Sequence, residues 1–249
     1  MLRFFSIAAL LLSTTAAFSE QRLALVIGND NYDNLPDLKK AVNDAKTMGD
    51  VFKELGFTVT VGTDLNMKSW SDISEKFAAS LEKESTAVVY VASHGLNVAG
   101  VQYIAPVDVP ESAAKGSVDD LLSSSINFDA YLEHLGKTQA KTLIIIFDSC
   151  RNNPYKENPK ALGKVSDIKQ DMAVMYSAAP GACPFETVSS ADTSPNSPFV
   201  RFLVEELRKP AAPLSKISNK VRLQMYTTGL DQQPWYHEGG TSEMTLHPK

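Results

Sequence analysis

A chain of 249 residues, 43% hydrophobic and 21% charged, has ordinary globular composition and enough length to bury one sizeable core. Its formal net charge of -5 argues against a general basic surface and so against nucleic acid as a partner, because phosphate neutralisation needs clustered Lys and Arg. Two cysteines are too few for a secreted disulfide scaffold.

The first nineteen residues read as a secretory signal. Arg3 precedes an apolar run from Phe4 to Leu12 that only Ser6 interrupts, and small residues follow, with cleavage expected after Ala17 or Ser19. The apolar run is too short to span a bilayer comfortably, so no stable membrane insertion is expected after cleavage. The expected location is periplasmic or secreted.

Arg22 to Gly28 (RLALVIG) is a first strand, and the Asn-, Asp- and Pro-rich stretch behind it is a loop. From Lys39 to Leu55 the apolar residues recur at helical spacing until Gly56 stops them. Phe57 to Val61 is a second strand. Trp70, Ile73, Phe77 and Leu81 mark an amphipathic helix over 69–82. Thr86 to Ala92 is a third strand that runs into Ser93-His94-Gly95. A short extended piece over 102–105 and a helix over 125–135 follow.

Thr142 to Asp148 is the fourth strand, with five apolar residues in a row, as suits a strand covered on both faces. Side chains alternate along a strand, so Asp148 and Cys150 are expected to project to one side at its end. Met172 to Ser177 is a fifth strand. Beyond it lie a Gly-, Pro- and Ser-rich loop, helices over 199–208 and 214–226, and a short edge strand expected around Met244 to Leu246. This alternation predicts an α/β protein: a three-layer αβα sandwich on a mostly parallel sheet of about six strands.

His94 and Cys150 therefore sit just past the ends of two strands that a parallel sheet can make neighbours. Open α/β sheets bind ligands at the carboxyl ends of their strands. A thiol beside an imidazole can be held as the nucleophilic thiolate, and the imidazole can protonate a leaving amine. The N–H groups of Gly95 and Cys150 are candidates for an oxyanion hole. The competing readings are a packed small hydrophobe for Cys150 and a solvated loop residue for His94.

The segments LALVIGNDNY, VVYVASHG, LIIIFDSCRNNP and YSAAPG, in this order and spacing, resemble the caspase-like cysteine peptidases of clan CD. The bacterial caspase-domain and metacaspase-like members are the better match, and animal caspases the poorer one. The resemblance runs from about Arg22 to the tail motif QQPWY. It implies the caspase-like fold, proteins or peptides as substrates, and His94 and Cys150 as catalytic residues. It further implies a large-subunit-like part over about 22–155, a linker over about 156–170 that self-cleavage can cut, and a small-subunit-like part over about 171–249. Two departures stand out: Asp148-Ser149-Cys150-Arg151-Asn152 replaces the Q-A-C-R-G of animal caspases, and Ser93 occupies a position that is often glycine.

In metacaspase-like peptidases the Asp of D-x-C lines an acidic pocket, and a second Asp comes from the helix after the first strand. That assigns Asp148 and Asp44 to substrate binding, and their charge favours cleavage after Arg or Lys. The plainer alternatives are a cap for loop N–H groups at Asp148 and an exposed helix carboxylate at Asp44. No cofactor is required, and no acidic cluster argues for calcium. The two Cys and four His show no paired zinc spacing. His134 reads as structural, and His237 lies beside Trp235 and Tyr236. Cys183, just past the fifth strand, can bridge to Cys150, which would give a silent or redox-gated binding module on the same fold.

Overall fold

The computed structural model describes residues 20–152, 171–240 and 243–248. The expected signal segment and the whole of the expected linker lie outside those residues. In chain order the elements are β1 (Arg22–Gly28), α1 (Ala41–Glu54), β2 (Thr58–Thr63), α2 (Met67–Ala79) and β3 (Thr86–Ala92). A small excursion follows, with β4 (Gly95–Val98), β5 (Val101–Ile104), α3 (Glu111–Ala114), α4 (Val118–Ser123) and β6 (Ile126–Asn127). The chain then forms α5 (Phe128–Leu135), β7 (Thr142–Asp148), β8 (Met172–Tyr176), α6 (Pro198–Leu207), α7 (Leu214–Thr227) and β9 (Trp235–Gly239).

The central sheet has six strands in the order β2-β1-β3-β7-β8-β9, all parallel except β9. Alternation along its strands builds the three layers. Ala24, Val26, Val88, Tyr90, Ile144 and Ile146 face α1, α6 and α7. Their neighbours Leu25, Ile27, Val89, Val91, Ile145 and Phe147 face α2 and α5. Because both faces are covered, these strands read as unbroken apolar runs. Among the described residues, no helix is long and apolar enough to cross a membrane.

Three features differ from the sequence reading. The edge strand is β9, at Trp235–Gly239, and it pairs antiparallel with β8. Met244 and Leu246 are instead buried in the core, where the Met244 carbonyl accepts from the Leu214 N–H at the start of α7. The third difference is the antiparallel sheet β4-β5-β6, of which the sequence showed only one extended piece.

Gly28, the last residue of β1, sets how closely α1 seats on the sheet. A Cβ there would overlap the Ala41 carbonyl oxygen and lie 2.7 Å from Ala45 Cβ, both on α1. Gly28→Ala should therefore cost about 1–3 kcal/mol by overpacking. That corresponds to a Tm lower by roughly 2–4 °C per kcal/mol for a chain of this size, read by thermal unfolding. An unchanged Tm would contradict this seating.

Candidate active site

The chain runs from β1 outwards to β2 and then crosses to β3 on the other side, so strand order reverses between β1 and β3. Such a switch point opens a crevice at the strand carboxyl ends. In the β3–β7 register Ala92 sits opposite Asp148, so both strands end at one level. His94 and Cys150 each lie two residues beyond. The Ser93 and Ser149 hydroxyls, 3.3 Å apart, join the two turns.

The β1–α1 loop holds His94 in place. Its backbone N–H donates to the Tyr32 hydroxyl at 2.9 Å, and the two rings pack with centroids 4.7 Å apart. Nε2 lies 2.7 Å from the Pro36 carbonyl oxygen. A carbonyl only accepts, so the proton belongs on Nε2, which leaves the Nδ1 lone pair to take one. Neither Tyr32 nor Pro36 was singled out from the sequence. A backbone carbonyl leaves no signature there.

Cys150 is held by its neighbours. Its carbonyl accepts from Gln102 Nε2 at 3.0 Å. Arg151 is buried with its guanidinium 3.7 Å over the Tyr176 ring, and its backbone exchanges hydrogen bonds with Ala182 and Gly181. A disulfide joins Cys150 to Cys183, with the Cα atoms 4.0 Å apart. Both cysteines of the sequence are thus bonded, and the sulfur of the expected nucleophile carries no proton in this state.

Gly95 faces the Cys150 turn. The Ala105 N–H donates to the His94 carbonyl, so Gly95 and Ile104 form a non-hydrogen-bonded pair and the Gly95 N–H is not spent on β5. Two residues on, the Asn97 N–H on the same strand edge donates to the Asn152 carbonyl. The Gly95 N–H therefore points to the Cys150 side. A Cβ at Gly95 would stand 2.7 Å from the Cys150 carbonyl oxygen, so only glycine allows this approach.

Between these turns and α1 lies a cavity of about 110 Å³ lined by Asp44, His94, Asp148, Cys150, Phe185 and Glu186. Asp44, on the first turn of α1, is 2% exposed, which removes the reading of it as a surface carboxylate. It accepts from Asn196 Nδ2 at 2.8 Å and from the Ser197 N–H at 3.0 Å. Asp148 accepts from the buried Tyr90 hydroxyl at 3.0 Å. Burial raises the pKa of both acids well above the usual carboxylate range, and the charge of Asp148 adds to the rise at Asp44. They titrate as a pair.

Glu186 is a third acid, and the sequence reading missed it. It sits in an irregular loop where no periodicity singles out one carboxylate, and it caps α1 from outside by accepting the Lys39 and Lys40 N–H groups at 2.6 and 3.2 Å. The nearby cation Lys40 is turned away, with Nζ 4.0 Å from Asp192 and 3.4 Å from the Asn196 carbonyl. Lys40 also lines the cavity, with its head group engaged by those two partners, and among the described residues the cavity gathers three carboxyl groups. That suits a buried guanidinium or ammonium group from a ligand.

Residues 21–244 match the family model of the caspase domain, peptidase family C14. The chain belongs to the caspase-domain family. Among curated proteins it is 26% identical over 196 residues to Mucosa-associated lymphoid tissue lymphoma translocation protein 1 of Homo sapiens, covering 78% of this chain and 23% of that protein. The Mus musculus homolog is 25% identical over 195 residues, with 78% and 22% covered. The caspase domain described here spans less than a quarter of either relative. Membership places the chain among proteins with a cysteine-peptidase-like domain.

The other histidines lie apart from this site. His134 is exposed on α5, and His237 is exposed in the middle of β9, opposite Val174. Among the described residues, no group of three His, Cys, Asp or Glu side chains is placed to hold a metal ion.

Proposed function

We propose that this chain is an exported cysteine endopeptidase that uses a Cys150–His94 dyad and cleaves after Arg or Lys. One observation carries the reading: the His94 turn, the Cys150 turn and the three-acid cavity meet at the carboxyl ends of adjacent strands. The disulfide fits the export reading, because such bonds persist in oxidising compartments.

Once Cys150 is reduced, His94 Nδ1 takes its thiol proton and the thiolate attacks the scissile carbonyl. The N–H groups of Gly95 and Cys150 stabilise the oxyanion, and the Pro36 carbonyl steadies the imidazolium through Nε2–H. His94 returns the proton to the leaving amine. A water then loses its proton to Nδ1 and opens the thioester, releasing the new carboxyl end. The P1 guanidinium or ammonium lies among Asp44, Asp148 and Glu186.

The test is hydrolysis, under dithiothreitol, of peptides that differ only in the residue before the cut bond. Arg and Lys peptides should be cleaved with kcat/KM about 100-fold or more above the Asp peptide, as burying an aspartate among carboxyl groups predicts. Equal rates would remove the specificity claim. Export is read by N-terminal sequencing of the mature protein, with cleavage after Ala17 or Ser19 expected.

The disulfide favours a second reading, in which the chain is a catalytically silent or redox-gated binding module. Thiol titration of protein isolated without reductant separates the two. Two free thiols support the free enzyme; none supports the bridge.

A further inference from the structure

We propose that the disulfide locks only the chemistry and leaves the specificity pocket assembled. The oxidised chain then binds an arginine-like ligand without cutting it, and a dithiol reductant turns that binder into the peptidase. This inference rests on the function proposed above. It makes the two readings there two oxidation states of one molecule.

Among the described residues, the hydrogen bonds that hold the pocket do not pass through sulfur. The loop carrying Cys183 is anchored on both sides of it. Before it, the Arg151 N–H donates to the Ala182 carbonyl at 2.8 Å, and the Gly181 N–H donates to the Arg151 carbonyl at 3.0 Å. After it, the Phe185 N–H donates to Gln232 Oε1 at 2.9 Å. Gln232 is 1% exposed, and its Nε2 donates to the Ser177 carbonyl at 2.9 Å, so one buried amide ties this loop to the end of β8. Glu186 adds its two bonds to the start of α1. Asp44 and Asp148 are held by Ser197, Asn196 and Tyr90. The cavity is present with the disulfide formed, and the head of Lys40, which also lines it, is engaged by Asp192 and the Asn196 carbonyl. Such a pocket is already shaped for its ligand and loses little ordering entropy on binding.

The switching step is thiol–disulfide exchange. A thiolate of the dithiol bonds to Cys183 Sγ, and Cys150 leaves with the electron pair of the broken S–S bond as a thiolate. The second thiol of the reductant then displaces Cys183, which leaves as a thiolate and takes up a proton. The reductant ends as a disulfide, and the protein gains two electrons. Both cysteines are partly exposed, so the reductant can approach.

The test uses the full mature chain with its thiol state fixed by alkylation and checked by mass. The probe is N-acetyl-arginine amide, with binding measured by calorimetry on oxidised protein and on dithiothreitol-reduced protein. The affinities should agree within about threefold, as expected for a pre-organised site. Hydrolysis of the Arg peptide should appear only after reduction. Cys183→Ser should hydrolyse it without reductant and bind the probe as the wild type does. Binding that appears only on reduction would overturn the lock and show that reduction builds the pocket. Failure to bind in either state, with peptides of another class still cleaved, would instead refute the basic-residue reading, and the inference with it. Hydrolysis by fully oxidised protein would show that Cys150 is not the nucleophile.

Discussion

In the reduced protein, Cys150→Ala should lower kcat on an Arg peptide by at least about 10⁴-fold, and His94→Ala by about 10²–10⁴-fold. The difference follows from the proposed roles. Without Cys150 there is no acyl-enzyme, and only the oxyanion donors and the pocket remain. Without His94 the thiol retains some intrinsic thiolate, and a water or buffer base can stand in for Nδ1. Combining the two substitutions should add little to Cys150→Ala alone, since both remove parts of one step. The readout is single-turnover hydrolysis under dithiothreitol. Cys150→Ala also deletes the disulfide, whose partners are 33 residues apart. Closing such a loop stabilises a chain by about 3–4 kcal/mol. Dithiothreitol breaks that bond in the wild type as well, so under the assay conditions the comparison with Cys150→Ala reads lost chemistry and not a lost cross-link. Full activity in Cys150→Ala would end the mechanism.

The parts of the fold that were legible in the sequence are those whose physics is local. β3 and β7 were read to the residue, because strands buried on both faces are apolar without a break. Helix α1 was clear from its apolar spacing and from Gly56, which stops it with φ of 82°. The edge strand was misplaced for the opposite reason. Half of an edge strand faces water, and Trp-Tyr-His-Glu-Gly carries no apolar run, whereas Met244 and Leu246 look like a strand and are a coil segment pressed into the core. Strands β4 and β5 have four residues each, too short for a period to show.

The site divides along the same line. His94 and Cys150 were visible because they lie just past the ends of two apolar strands, and Asp44 and Asp148 were placed by family resemblance. The groups that complete the arrangement come from a distance. Tyr32 and Pro36 reach His94 from a loop about 60 residues earlier, and Glu186 reaches the start of α1 from about 150 residues later. Only the folded sheet brings these together. The two cysteines raised the question of a bridge by their number, but pairing depends on where the loop after β8 returns, and no local pattern encodes that.

Asp148→Asn should lower kcat/KM on Arg peptides by roughly 10²–10³-fold, mostly through KM, because it removes one buried partner of the P1 cation. The amide keeps an acceptor for the Tyr90 hydroxyl, so the loss reports charge and not a broken bond. Stability should move the other way. Burial raises the pKa of Asp148 and Asp44 above the unfolded value, so the folded protein holds protons that the unfolded chain has released. Their stabilising contribution is full below the ordinary carboxylate range and is lost as pH rises through the raised values. The wild type with an empty pocket should therefore lose Tm between about pH 4 and pH 7, and Asp148→Asn should lose less. A bound guanidinium reverses the sign, since it needs the carboxylates ionised and expels their protons. Affinity for N-acetyl-arginine amide should rise over that same window. Removing Asp148 also relieves its repulsion of Asp44, which lowers the pKa of Asp44 and shifts the remaining rise to lower pH. Thermal unfolding and calorimetry across this pH range read both effects. A wild type whose affinity ignores pH, or an Asn variant that is less stable at pH 7, would mean that the paired acids are not what the pocket offers its substrate.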